Sequence, residues 1–190
     1  MFESASWLNP PARCELTANT LRVWTADRTD CWRETHYGFT RSSGHIFGVP
    51  VAGGFTAQVR VRGQFEFEYD QAGIMIYVDD NNWLKAGVEL SCGTLNLSSV
   101  LTVGKSDWAV GSPLATDVLY IRATVHSGVL LVHASNDGVD WSLVRMAPFP
   151  FDGPFFVGPM CCSPQRAGLI VDFDSFEISK PVADATQAHV

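Results

Sequence analysis

Residues 72–90, AGIMIYVDDNNWLKAGVEL, hold two apolar runs separated by the polar turn DDNN at residues 79–82. In the second run the apolar residues occupy every second position: Leu84, Ala86, Val88 and Leu90. The positions between them are Trp83, Lys85, Gly87 and Glu89. Because successive side chains of a strand point to opposite faces, this stretch predicts a β-hairpin with one face in the core and a polar face outside.

Similar short runs recur along the chain, and no long stretch has the 3.6-residue period of an amphipathic helix. The predicted strands lie near residues 21–25, 55–65, 72–78, 83–90, 98–103, 117–125, 129–135, 142–147, 155–161 and 168–178. So many strands predict an all-β fold with two antiparallel sheets packed as a jelly-roll sandwich. We expect one domain over residues 1–180 and a flexible polar tail over residues 181–190.

Charge and hydropathy narrow the range of partners. The chain has 190 residues, a net charge of -7 and 46% hydrophobic residues. Phosphate binding needs clustered Lys and Arg, so this acidic balance argues against nucleic acid as a partner. No apolar run is long enough to span a membrane, which argues against membrane insertion.

Cysteine usage bears on the compartment. The five cysteines, Cys14, Cys31, Cys92, Cys161 and Cys162, show no CxxC spacing, and a chain of this size needs no disulfide framework. The N-terminus lacks the basic and apolar regions of a secretory signal. We therefore expect reduced thiols and a cytoplasmic protein.

Several segments together resemble a known family. They are WTADRTDCW at 24–32, YGF at 37–39, GH at 44–45, YDQAGIM at 69–75, WLKAGVE at 83–89, SDW at 106–108 and DFDSF at 172–176. In this order they resemble a family of unknown function in the concanavalin A-like lectin/glucanase superfamily, which includes fungal proteins named for regulation of enolase. The resemblance implies a concanavalin A-like jelly roll and supplies no activity, because relatives with this sandwich serve as sugar-binding modules or as glycosidases.

The polar strand faces predict a ligand site. Lys85 and Glu89 share one strand face and are expected to form the floor of a pocket. Side chains from other strands are expected to join them, namely Gln71, Arg122, His133 and Ser135, and Trp83 is expected to offer an aromatic platform. The loop at residues 27–45 adds further candidates: Asp27, Trp32, Tyr37 and His45. Such a mixture of donors, acceptors and aromatic rings suits a saccharide or another small polar ligand.

An enzymatic alternative rests on carboxylates. Glu66, Glu68 and Asp70 alternate in sequence, which on a strand would place three carboxyl groups on one face. A retaining glycosidase needs two carboxyl groups about 5–5.5 Å apart, and Glu89 is a further candidate. The alternating pattern is also typical of a solvated strand end, so the sequence favours a non-catalytic binding module over a glycosidase-like enzyme.

The histidine and cysteine spacings predict no metal site, and the chain lacks the glycine motifs of nucleotide cofactors, so no cofactor is expected. A third interpretation is a regulatory protein-interaction domain, including a homodimer formed through an edge strand or an apolar patch.

Overall fold

Sixteen strands form in the computed structural model, which describes residue 2 and residues 4–182. In chain order they are β1 (Ser6–Leu8), β2 (Arg13–Leu16), β3 (Thr20–Trp24), β4 (Cys31–Arg33), β5 (Thr40–Ser42), β6 (His45–Val51), β7 (Phe55–Gly63), β8 (Gln71–Asp79), β9 (Asn82–Ser91), β10 (Thr94–Val103), β11 (Lys105–Pro113), β12 (Val118–His126), β13 (Val129–Ser135), β14 (Ser142–Pro148), β15 (Phe155–Cys162) and β16 (Ile170–Ser179). The described residues contain no helix with the length and hydropathy to cross a membrane.

Two seven-stranded antiparallel sheets form the sandwich. The first sheet has the order β1-β6-β15-β8-β9-β10-β11, and the second has the order β14-β13-β12-β7-β16-β3-β2. Strands β4 and β5 pair only with each other and form a separate two-stranded hairpin. The prediction of an all-β fold with two antiparallel sheets is confirmed.

The main core lies between the two sheets. The first sheet contributes Ile74 and Ile76 from β8 and Leu84, Ala86 and Val88 from β9, all buried. The second sheet contributes Val59 and Val61 from β7, Ile121 and Ala123 from β12, and Val171 and Phe173 from β16. The alternation read from residues 83–90 therefore places Lys85, Gly87 and Glu89 on the outer face of the first sheet.

Two facing glycines shape that outer face. Gly73 of β8 is paired directly with Gly87 of β9. A Cβ on Gly73 would lie 1.9 Å from the carbonyl oxygen of Ala86, and a Cβ on Gly87 would lie 2.0 Å from that of Ala72. The obstructing atoms are backbone of the paired strand, so only glycine fits at either position.

The sequence did not predict strands β1, β2, β4, β5, β6 and β11. Strand β6 carries Gly48 and Pro50, two residue types that are depleted in strands, yet Gly48 is needed there because a Cβ would lie 2.7 Å from the carbonyl oxygen of Val157. Strand β11 is an edge strand with mostly exposed side chains, which weakens the period-two pattern. Of the expected tail, residues 183–190 lie outside the described residues.

Replacement of Gly87 by alanine should lower the free energy of unfolding by about 3 kcal/mol or more, because the new methyl group meets backbone that cannot move without breaking the β8–β9 ladder. Urea denaturation followed by tryptophan fluorescence measures the change. Gly111→Ala is the matched control, since its Cβ would approach the carbonyl oxygen of Leu97 only to 3.2 Å in the exposed edge strand. Equal stability of the two variants would contradict the close-approach argument.

Candidate ligand-binding site

A pocket of about 240 Å³ opens on the outer face of the first sheet. Its floor is made by side chains that alternate with core residues on neighbouring strands: Gln71, Lys85, Glu89, Val100 and Trp108. Glu89 is paired with Gln71 of β8, and Lys85 is paired with Val100 of β10. The Gly73–Gly87 pair has no side chain between these rows, which leaves room for the long side chains of Lys85 and Glu89.

The pocket wall comes from the hairpin of β4 and β5, residues 31–42, here called the rim hairpin. It contributes Trp32, Tyr37, Phe39 and Arg41. The Trp32 and Tyr37 rings form a T-shaped contact with their centroids 5.6 Å apart. The Tyr37 and Phe39 rings are stacked with their centroids 5.8 Å apart. Tyr37 and Phe39 are 49% and 39% exposed, so two aromatic rings stand at the mouth of the pocket beside solvent.

The backbone of the rim hairpin is locally strained. Glu34 and His36 adopt φ values of 58° and 62°, and Gly38 follows with 72°. The left-handed region is unfavourable for residues that carry a Cβ, and such residues concentrate where a loop is held in a functional conformation. The hairpin is fixed to the first sheet through Arg33, whose backbone N–H donates to Oγ of Ser106 at 2.9 Å.

A buried ion pair stands at one side of the pocket. Nζ of Lys85 donates to Oδ1 of Asp30 at 3.1 Å, and both side chains are almost completely buried. Burial acts to lower the pKa of Lys85, but the neighbouring Asp30 carboxylate and the thiols of Cys162 and Cys31 raise it overall. Lys85 is therefore charged at neutral pH. The backbone N–H of Cys31 also donates to Asp30 Oδ1, at 2.8 Å.

Glu89 is the second buried acid of the pocket. Its Oε2 accepts hydrogen bonds from Oγ of Ser98 and from Nε1 of Trp108, the latter at 3.2 Å. Burial raises the pKa of Glu89, although Lys85, Ser98 and Trp108 act in the opposite direction. Among the described residues none donates to the other oxygen, Oε1, so an acceptor is left for a ligand.

Further polar capacity surrounds Glu89. Gln71 uses its Nε2 to donate to the carbonyl oxygen of Tyr69 at 3.1 Å, which leaves its amide oxygen as an acceptor. Lys85 uses one of its three N–H donors on Asp30. Tyr69 also borders the pocket, and a hydrogen bond with Tyr37 together with burial raises the pKa of its hydroxyl to about 12. The pocket thus presents donors and acceptors next to aromatic rings.

The structure brings together five of the residues that the sequence proposed for ligand binding: Gln71, Lys85, Glu89, Trp32 and Tyr37. Trp83 lies beneath the pocket instead, 2% exposed, with its ring 5.8 Å from Nζ of Lys85. Asp27 is largely exposed and lies 3.8 Å from Nε of Arg28.

His45 is held by backbone on both sides. Its Nδ1 lies 2.7 Å from the carbonyl oxygen of Asn9, and its Nε2 accepts from the backbone N–H of Ala26 at 2.9 Å. Because Nε2 is an acceptor, the ring is neutral and Nδ1 carries the proton. Burial lowers the pKa of His45. These contacts give His45 a structural role between the N-terminal segment and the loop before β4.

The prediction that Arg122, His133 and Ser135 join the Lys85 face was wrong, because their strands belong to the second sheet. Arg122 lies between two core residues of β12, so its side chain points away from the first sheet. Its guanidinium carbon lies 4.3 Å from the centroid of the Trp141 ring. Ser135 accepts from the backbone N–H of Gly138 at 2.9 Å and stabilises the turn after β13. Alternation identifies the outer residues of a strand but not the sheet to which that strand belongs.

The prediction of a carboxylate strand at Glu66, Glu68 and Asp70 was also wrong, because residues 64–70 form a loop. Glu66 binds Arg166 at 3.2 Å with its side chain 61% exposed, and Glu68 accepts from the backbone N–H of Cys92 at 2.8 Å. Asp70 is fully buried and accepts from Nη2 of Arg166 at 2.7 Å and Oγ of Ser163 at 2.6 Å. It also accepts from two backbone N–H groups of its own loop. All three carboxylates are used structurally.

Sequence reasoning missed several residues that line the pocket: Asp30, Phe39, Arg41, Tyr69, Val100, Trp108, Pro164 and Gln165. Asp30, Phe39, Tyr69 and Trp108 fall inside the segments that carry the family resemblance, so those segments held the signal. Pro164 and Gln165 lie in the loop after β15, where no alternation of apolar and polar residues could indicate their position. Among the described residues no cluster of three or more His, Cys, Asp or Glu is placed to hold a metal ion.

Similar solved structures of low sequence identity share the jelly-roll sandwich fold. A legume lectin-like domain from Entamoeba histolytica superposes with a TM-score of 0.60 at 8% identity, over 94% of this chain and 91% of that one. A xylan beta-1,4-xylosidase from Bacillus halodurans C-125 superposes with a TM-score of 0.67 at 18% identity, over 90% of this chain and 35% of that one. At these identities the likeness concerns the fold alone.

The chain belongs to the family described as "Protein of unknown function (DUF1349)", whose model matches residues 7–181. The "Regulation of enolase protein 1" of Saccharomyces cerevisiae is 50% identical over 186 residues, which is 97% of this chain and 93% of the relative. The crystal structure of a functionally unknown protein from Saccharomyces cerevisiae superposes with a TM-score of 0.92 at 47% identity, over 96% of this chain and 99% of that one. The predicted family resemblance is confirmed.

Asp70→Asn should destabilise the protein by about 3–5 kcal/mol, because it removes the buried carboxylate that accepts from Arg166, Ser163 and two backbone N–H groups and leaves Arg166 only its exposed partner Glu66. Glu66→Gln is the matched control: it removes an exposed partner of the same arginine and should cost about 0–1 kcal/mol. Thermal and urea denaturation measure both variants. A loss of similar size in both would show that Asp70 has no special structural role.

His45 should make stability depend on pH below about 6.5, its ordinary pKa. Since the folded-state pKa is lowered, the unfolded chain binds more protons there, and stability falls as the pH is lowered through this range, by at most about 1.4 kcal/mol per pH unit for one proton. Urea denaturation at a series of pH values should give a steeper fall for the wild type than for His45→Gln. His126→Gln, at an exposed position, should keep the wild-type slope; if His45→Gln also keeps it, His45 does not carry the effect.

Proposed function

We propose that the chain is a non-catalytic binding module for a neutral saccharide, which enters the pocket of the first sheet. The observation that carries the proposal is the meeting of unused hydrogen-bonding capacity with aromatic rings: Oε1 of Glu89 and the remaining N–H donors of Lys85 lie in one small cavity with Trp108 and Tyr37. The solved structures that share this fold include one described as a legume lectin-like domain and one described as a xylan beta-1,4-xylosidase. That likeness is consistent with sugar binding.

The chemistry of a sugar matches both parts of the pocket. Ring hydroxyls donate and accept, so they can donate to Glu89 and Gln71 and accept from Lys85. The apolar face of a pyranose packs against an aromatic ring, and the pocket supplies such rings on the rim hairpin and on β11. A purely apolar ligand would leave Oε1 of Glu89 and the remaining N–H donors of Lys85 unused, which is unfavourable once the ligand excludes water.

Charge and volume narrow the ligand class. The charged residues that line the pocket are Asp30, Glu89, Lys85 and Arg41, two of each sign, and Lys85 is already paired with Asp30. The pocket therefore has no surplus cation for a phosphate or a uronic acid. A volume of about 240 Å³ lies below the roughly 300–1,000 Å³ of sites for drug-sized ligands and suits one sugar ring. We expect a monosaccharide or the end unit of a chain.

The arrangement of the acids favours binding over hydrolysis. A glycosidase pair needs one free carboxylate and one protonated acid facing the same bond. Glu89 has the raised pKa of such an acid, but Asp30 already holds Lys85 and a backbone N–H through one oxygen. The raised pKa of Glu89 is the specific observation that favours the glycosidase-like alternative, so turnover is measured together with binding.

Thermal-shift measurements should test the purified protein against neutral hexoses, pentoses and disaccharides, with a uronic acid and a sugar phosphate as charge controls. A ligand at 100 times its dissociation constant adds about 2.7 kcal/mol to stability. We expect a neutral sugar to shift the melting temperature, and Glu89→Gln to weaken its binding about 10- to 100-fold, because a charge-assisted hydrogen bond becomes a neutral one.

Glu66→Gln is the matched control, since it makes the same chemical change outside the pocket and should bind as the wild type does. Absence of any saccharide shift, or a shift that Glu89→Gln leaves intact, would overturn the proposed site. Release of product from a neutral glycoside by the wild type but not by Glu89→Gln would favour the glycosidase alternative.

A further inference from the structure

Two thiols meet directly behind the pocket. Cys31 begins the rim hairpin, Cys162 ends β15, and both are buried in a second hydrophobic cluster with Trp32, Trp83 and Met160. A Cβ built on Gly44 would lie 2.6 Å from Sγ of Cys31 and 2.7 Å from Sγ of Cys162. Both sulfur atoms therefore converge on one point, and Sγ of Cys162 also donates to Sδ of Met160 at 3.6 Å.

The other cysteines have different surroundings. Cys161 is adjacent to Cys162 in sequence but points to the opposite face of β15, into the main core between the sheets. Cys14 and Cys92 are exposed. The five free thiols thus include one buried pair that converges near Gly44, one other buried thiol and two surface thiols, which supply internal controls for any thiol chemistry.

The charge of Lys85 makes the pair asymmetric. The neighbouring Cys162 thiol and the nearby ammonium of Lys85 lower the pKa of Cys31, while burial opposes them. The interaction with Cys31 and burial raise the pKa of Cys162. Cys31 is the better nucleophile of the two, because the thiolate is the reactive form. Its chain neighbours Asp30 and Trp32 both line the pocket, and Cys31 itself is 3% exposed.

We propose that Cys31 and Cys162 form a reversible disulfide with hydrogen peroxide as the oxidant, which fastens the rim hairpin to the first sheet. The Cys31 thiolate attacks one peroxide oxygen, the O–O bond breaks, and hydroxide leaves and takes up the proton that Cys31 had released. Sγ of Cys162 then attacks the sulfenic acid sulfur of Cys31, and the hydroxyl group leaves as water with the thiol proton of Cys162. Two thiols and one peroxide give one disulfide and two waters.

The disulfide would change how the pocket wall is held. The rim hairpin makes no backbone ladder with either sheet, and it carries Trp32, Tyr37, Phe39 and Arg41 into the pocket. A covalent link from its first residue to β15 restricts its opening. Control of ligand entry in this way rests on the proposed binding function, whereas formation of the disulfide and fastening of the hairpin do not.

The test exposes the reduced full-length protein to a series of hydrogen peroxide concentrations, blocks the remaining thiols with N-ethylmaleimide and maps the peptides by mass spectrometry. We expect a peptide pair linked through Cys31 and Cys162, reversed by dithiothreitol, with a rise in melting temperature of roughly 5–10 °C. Hydrogen exchange should slow at the amides of residues 32–42. Cys31→Ser and Cys162→Ser should abolish these changes, and Cys161→Ser should retain them.

Oxidation confined to Cys14 and Cys92 in the folded protein would overturn the proposal. A Cys31–Cys162 link that leaves exchange in the rim hairpin unchanged would overturn the fastening role. Both measurements are made without a saccharide, so failure of the saccharide screen would count against the proposed binding function alone.

Discussion

The buried ion pair between Lys85 and Asp30 is the contact on which the site depends. Lys85 is fixed on a central strand of the first sheet, and Asp30 directly precedes the rim hairpin, so the pair joins a loop to a sheet. Removing either charge would leave the other buried without a partner, which is strongly unfavourable. Well-packed apolar residues often stabilise a fold as well as a buried pair does. Stability alone therefore does not require a charged pair at this position, and the effect of the pair on the pocket is to place an ammonium group in its lining.

The same outer face shows how tightly the pocket and the sheet are connected. Lys85 and Glu89 reach the pocket because Gly87 stands between them and Gly73 stands opposite, with no side chain on either. Trp83 packs in the second hydrophobic cluster, and its ring makes a cation–π contact with the ammonium group of Lys85. At the far end of the pocket, Asp70 organises the loop that presents Tyr69. Several residues near the site thus act by holding the lining residues in place.

Much of the fold follows from the sequence, because core strands such as β8 and β9 combine period-two alternation with a clear turn. Edge strands such as β11 lack the alternation because most of their side chains are exposed. Strand β6, which carries glycine and proline, lacks it because its backbone approaches the neighbouring strand closely. Lys85, Glu89 and Gln71 were predictable because they alternate with core residues on adjacent strands. Arg122 shows the same alternation, yet its strand lies in the other sheet, and only long-range pairing decides that. Asp30 and Trp108 were not predictable from local pattern, because their roles depend on contacts with residues distant in sequence.

The rim hairpin closes its hydrogen-bond ladder within itself, pairing β4 only with β5. A substitution on its outer residues therefore leaves the register of both seven-stranded sheets untouched. The sandwich supplies a constant polar floor, and the hairpin supplies an aromatic wall that tolerates exchange of side chains at Tyr37 or Phe39. The wall and the floor of the pocket are thus separable by mutation, because the twelve residues 31–42 share no backbone ladder with the strands that carry Lys85 and Glu89.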